Sequence, residues 1–187
     1  MVLPKRWRVL QNRAANAFDD DAAALVVADW ILGGGTGLSN RLVDRLRQKE
    51  GLSYGVGSHV KLPQFGNRSS WMMSAIVAPQ NLPKAEACAK EELARAVKDG
   101  FTEQEVKEAV KGILDSRAVN RAQDDYLAQS WLQFMEAGKT FAFSKQFEER
   151  IAAVTVDSVN AALRRMVVPE NVTWILSGDL AKAGLKK

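Results

Sequence analysis

Apolar and polar positions follow two different periods along this chain. Residues 22–32 are apolar at nearly every position and follow Asp19, Asp20 and Asp21, whose carboxylates favour the positive end of a helix, so a buried helix is predicted there. Gly33, Gly34 and Gly35 end it. Ser39 is the predicted cap of a second helix over 40–49, with Leu42, Val43 and Leu46 on one side and Gly51 as the stop. The period then shifts to two. Residues 54–62 alternate, with Tyr54, Val56, Ser58 and Val60 on one face, a second strand-like run follows at 68–77, and Pro63, Gly66 and Asn67 between the two suit a turn. The pair reads as an antiparallel hairpin.

Helical spacing resumes after Pro79. A helix opens near Pro83, where a missing N–H costs little, runs through Ala85, Cys88, Leu93 and Val97, and stops at Gly100. Thr102 and Glu105 make a capping-box pattern ahead of Val106, Val110, Ile113 and Leu114. Further helices are predicted from the capping acids Asp124 and Asp125 through Trp131 and Phe134, both read as core, to Gly138, and in shorter pieces from Ser144 and Thr155. Residues 172–176 close the chain as a strand, and residues 7–10 offer a short first one. The expected fold class is α+β, a two-layer sandwich with a mostly antiparallel sheet and helices packed on one face. No repeat or linker interrupts the order, so residues 1–187 read as a single domain, with a first strand shorter than such a sheet needs, as in a piece cut from a longer chain.

Composition narrows the chemistry. The 47% apolar content suffices for a core, and no apolar run reaches the length of a membrane span. The formal charge of +4 arises from interleaved signs, as in Arg41, Asp44, Arg45, Arg47, Lys49 and Glu50. Such interleaving marks a solvated helix face, and Glu91 with Glu92 reads the same way. A nucleic-acid surface would want a one-signed stripe with aromatics, and only the short basic ends approach that, so no nucleic-acid partner is expected. Cys88 and His59 are the single residues of their types, which rules out an internal disulfide, a thiolate cluster and a histidine-based zinc site. Cys88, between Ala87 and Ala89, reads as core.

The glycine run at 33–37 invites a phosphate-loop reading, but it follows a helix and no Gly-Lys-Ser/Thr ends it. A flexible joint between two packed helices is the expectation.

The segment 31–42, Ile-Leu-Gly-Gly-Gly-Thr-Gly-Leu-Ser-Asn-Arg-Leu, with 46–58, Leu-Arg-Gln-Lys-Glu-Gly-Leu-Ser-Tyr-Gly-Val-Gly-Ser, resembles the insulinase/pitrilysin family of zinc peptidases, which includes mitochondrial processing peptidase and insulin-degrading enzyme. Other landmarks agree in order: Asp19 to Asp21 before the first helix, Ala78 to Asn81 after the hairpin, the stretch from Gly100 to Val106, and Gly178 with Asp179 after the last strand. The resemblance covers nearly the whole chain. It implies two homologous domains around a chamber, the first carrying H-x-x-E-H and a distant glutamate. Neither that motif nor its histidines exist here, so the resemblance is to the second domain, whose arginine and tyrosine, seven positions apart, match Arg47 and Tyr54.

The resemblance therefore implies a substrate-binding role for Arg47 and Tyr54, no catalytic or metal-ligating residue in this chain, and zinc only in the complete enzyme. It implies a zinc-bearing homologous domain or subunit and a peptide substrate as partners. Arg47 would leave the last turn of a helix and Tyr54 begin the next strand, so a short connection through Gly51 can converge two donors on a peptide carbonyl. The alternatives are a structural or assembly subunit, and a peptide-binding module that presents a sheet edge without cleavage.

Overall fold

Among the described residues, four strands form one sheet in the order β2-β3-β1-β4, and every neighbouring pair is antiparallel. They are β1 Arg6–Ala14, β2 Ser53–Lys61, β3 Arg68–Val77 and β4 Thr173–Leu176. The computed structural model describes residues 6–14, 17, 19–35, 40–66, 68–181 and 184. The first strand thus occupies an interior place, and it is longer than the 7–10 read from its apolar residues. Ladder bonds belong to the backbone, so pairing with β3 continues past Gln11, Asn12 and Arg13 to Ala14.

The helices are α1 Ala22–Asp29, α2 Arg41–Val43, α3 Leu82–Asp99, α4 Glu103–Asn120, α5 Asp124–Glu136, α6 Phe141–Ala152 and α7 Val156–Met166. Both α1 and α2 run on as wider π-helical turns, Trp30–Gly34 and Asp44–Lys49. The fold is the predicted α+β sandwich. On β3, Trp71, Met73, Ala75 and Val77 are buried while Met72, Ser74 and Ile76 are half-buried. The first set meets α1 (Leu25, Val27, Ala28), α3 (Ala85, Cys88, Leu93) and α7 (Val159, Leu163) in one core. The capping boxes of α4, Thr102 with Glu105, and of α7, Thr155 with Ser158, are both formed.

Several local readings are corrected. Asn40 caps α2 by accepting from the Val43 N–H at 2.9 Å, whereas Ser39, the predicted cap, lies with the rest of 36–39 outside the described residues. Gln123 holds the cap position of α5 without a side-chain capping bond, and Asp124 and Asp125, read as the caps, sit in the first turn. Thr140 caps α6, which starts at Phe141 rather than Ser144. No residue of α5 is buried, and Trp131, read as core, is 43% exposed.

Candidate functional site

The α2 segment is anchored on both sides of its charged face. Leu42, Val43 and Leu46 are buried beneath it. Arg41 donates from Nε and Nη2 to the two carboxylate oxygens of Glu105 at 2.6 and 2.9 Å, reaches the Gly100 carbonyl at 2.9 Å and lies over the Phe101 ring at 4.8 Å. Burial pushes the Glu105 carboxyl up, but the hydrogen bonds from Arg41 and Thr102 outweigh it and hold it below its ordinary value. Arg45 pairs with Glu50 and Glu91, Lys84 also reaches Glu50, and Lys49 pairs with Asp44. Such pairs add little stability where exposed, but they occupy the cations. Arg47 is the exception. It is exposed on the last turn and has no side-chain partner among the described residues.

The chain then reverses under tight control. Gly51 takes φ +60°, its N–H bonds to the Arg47 carbonyl at 3.2 Å and the Leu52 N–H bonds to the Leu46 carbonyl at 2.8 Å. These two bonds close the helix end with glycine in the left-handed position, where a Cβ would be strained. Leu52 and Ser53 are buried. Pairing with β3 is irregular at this point: Ser53 faces Val77, and Gly55 faces the adjacent Ile76, leaving Tyr54 as the extra residue. Its side chain is 91% exposed. The expected alternation therefore fails for Tyr54, because a β-bulge removes it from the face that Val56, Ser58 and Val60 share. The structure thus sets Arg47 and Tyr54 at the two ends of one short, pinned reversal, both in solvent, with no hydrogen bond between them.

Two features packed around this segment depart from what the sequence predicts. The glycine run, at least over 33–35, is a close contact rather than a flexible joint. A Cβ on Gly33 would stand 2.7 Å from the Ser58 nitrogen and 2.8 Å from Leu42 Cδ1, so the end of the first helix lies directly against β2. Beside it Asp29 is buried, accepting from Trp71 Nε1 at 3.0 Å. Burial raises its pKa above the ordinary 3.8, against hydrogen bonds from Ser58, Val60 and Trp71. Glu92 is buried too, held by Arg95 at 2.6 Å and facing Arg41 at 4.0 Å. The clue for Glu92 was available. It falls on the stripe formed by Ala85, Cys88, Ala89, Leu93 and Ala96, all buried.

No group of three His, Cys, Asp or Glu side chains comes together as a metal site among the described residues. Cys88 is buried, and loss of water raises its thiol pKa, first among the causes. The donor groups among the described residues do not fit a zinc centre. No helix is long and apolar enough to cross a membrane among the described residues.

The profile of the peptidase M16 inactive domain family matches residues 13–113, more than half of the chain. The chain belongs to this family. The resemblance to the second domain of these peptidases is thereby borne out, and the M16 inactive domain has measurable relatives. It is 22% identical over 162 residues to the non-peptidase homolog YmxG of Helicobacter pylori, covering 87% of this chain and 37% of that protein. It therefore spans well under half of that relative. Among solved structures, a peptidase M16 inactive domain from Pseudomonas fluorescens superposes with a TM-score of 0.78 at 22% identity, covering 94% of this chain and 41% of that one. The inactive peptidase domain of a candidate zinc protease from Bordetella parapertussis gives 0.77 at 20% identity, covering 95% and 93%. At these identities the structural likeness is one of fold.

Proposed function

We propose that this M16 inactive domain is the non-catalytic half of a zinc metalloendopeptidase, enclosing an extended peptide and orienting it with Arg47 and Tyr54 for hydrolysis by a partner half. The observation that carries the reading is the contrast within α2 and its extension: Arg41, Arg45 and Lys49 are all ion-paired, while Arg47 and Tyr54 stand exposed, with no side-chain partner among the described residues, on a reversal closed by two backbone hydrogen bonds. A guanidinium offers a planar fork of donors and a phenol offers one more, both suited to peptide carbonyls and to an oxyanion developing on one. In this reading zinc is held by the partner half, where it would activate water and polarise the scissile carbonyl. This chain's residues bind and orient.

The test uses this chain combined with a homologous half that carries H-x-x-E-H, assayed on an internally quenched peptide. Arg47→Ala and Tyr54→Phe are each expected to lower kcat/KM about 100-fold, from roughly 3 kcal/mol of lost transition-state stabilisation. Melting temperatures should not move, since both side chains are exposed. This chain alone is expected to show neither stoichiometric zinc nor turnover. Full turnover in both variants would sink the reading. The Helicobacter pylori relative is described as a non-peptidase homolog, which favours a second reading, a structural or assembly subunit of the same fold; that reading expects both substitutions to be silent.

A further inference from the structure

The register of β2 contains a choice that decides where Tyr54 points. From Gly55 onward the pairing is regular, Gly55 with Ile76, Val56 with Ala75, Ser58 with Met73 and Val60 with Trp71. Continued by one residue, that register would set Tyr54 opposite Val77, on the buried face. Ser53 takes that place instead and Tyr54 is extruded as the bulged residue. Ser53 is 7% exposed, and its hydroxyl sits 2.8 Å from the Ile76 carbonyl and 3.1 Å from the Gly55 carbonyl, donating to this pair. It is small enough to fill the core position, and its one polar group is satisfied on the spot.

We propose that Ser53 is a positioning residue: by occupying the core place opposite Val77 and bonding the carbonyls beside the bulge, it turns Tyr54 outward to where it can meet a substrate. The catalytic relevance rests on the reading of Tyr54 given above. The positioning itself does not.

The chain has two tyrosines, Tyr54 and Tyr126, so nitration by tetranitromethane, mapped by peptide mass, reports Tyr54 against an internal control. In Ser53→Lys the ammonium cannot remain buried without a partner, and the strand end is expected to revert to regular pairing with Tyr54 inward. Nitration of Tyr54 relative to Tyr126 should then slow by about tenfold or more. Ser53→Thr keeps the hydroxyl and should retain the wild-type ratio. Should Ser53→Lys fail to fold by tryptophan fluorescence, the neutral Ser53→Gln puts the same question. A ratio within about twofold of wild type in either folded long-chain variant overturns the proposal, as does a Ser53→Thr variant that behaves like Ser53→Lys. Failure of the functional reading looks different. Slowed nitration in Ser53→Lys together with undiminished peptide turnover in Tyr54→Phe leaves Ser53 as the residue that places Tyr54 and removes the substrate role of Tyr54.

Discussion

The reversal from α2 into β2 and the hairpin of α5 and α6 solve the same problem, that of joining two elements at the molecular surface, in opposite ways. The reversal is closed by a left-handed glycine and buried on its inner side by Leu46, Leu52 and Ser53. It is also flanked by Gly33 pressed onto β2 and by the Arg41–Glu105 pair. The hairpin holds itself largely by aromatic contact. Trp131 stacks on Phe141 at 5.3 Å and Phe134 meets Phe141 and Phe143 edge-on. Arg117 on α4 and Arg121 just past its end fasten α6 through Glu148. Leu132 and Met135 remain 58% and 56% exposed, and a groove of about 490 Å³ runs beneath, lined by Val60, Leu62, Phe134 and Phe143 among others. Position is fixed in the first case and packing is left incomplete in the second. A residue meant to present a donor at a set point is better served by the first arrangement.

That comparison can be broken most forcefully at Gly33. A Gly33→Ala methyl would meet backbone atoms of Gly57 and Ser58 that cannot step aside, and a loss of about 3 kcal/mol is expected in chemical denaturation. A loss under 1 kcal/mol would show that the helix end and β2 can part more easily than the contact implies.

Arg41→Ala comes next, with an expected cost of about 2 kcal/mol at neutral pH for the bidentate pair to Glu105 and the Gly100 carbonyl. The sign with pH is set by Glu105, whose carboxyl is held below its ordinary value in the folded chain. A depressed carboxylate contributes stability that is present above its unfolded pKa and lost as pH falls through the folded one. The gap between wild type and Arg41→Ala should therefore narrow on acidification, as measured by melting at neutral pH and at successively lower values. A gap that widens in acid would assign the contribution of Arg41 to something other than Glu105.

The smallest effect is expected in the hairpin. Leu132→Ser should change stability by no more than about 0.5 kcal/mol, since the side chain is mostly in water already. A loss of 2 kcal/mol in the isolated chain would mean that α5 is tied down as firmly as α2, and the contrast would fall.

Much of the fold was legible because its signals are local. The capping box at Thr102, the helix start at Thr155, the stop at Gly51, the two strands of the hairpin and the buried run of α1 depend on neighbours within a few residues, and the α+β sandwich follows from their order. Cys88 as a core residue was equally plain. The placement of Arg47 on a last turn and Tyr54 at a strand start could be read as well, together with the family to which that spacing belongs. Two of the failures share one cause. Trp131 reads as core because it is large and apolar, but whether an apolar helix face finds a partner depends on distant elements. Glu92 reads as solvated because it is charged, yet Arg41 is brought to face it when α2 packs on α3, alongside Arg95 one turn further on the same helix.

Tyr54 divides the two kinds of information most clearly. The sequence by itself determined that a tyrosine begins the strand, seven residues after an arginine that ends a helix. Its alternation with Val56 and Val60 would have turned that tyrosine into the core. Only the tertiary structure decided otherwise, through the pairing of Ser53 with Val77 and the bulge that follows. The reason is physical: a strand's side chains alternate by themselves, but the face each one takes is fixed by the register with its neighbour, and one extra residue in that register reverses it.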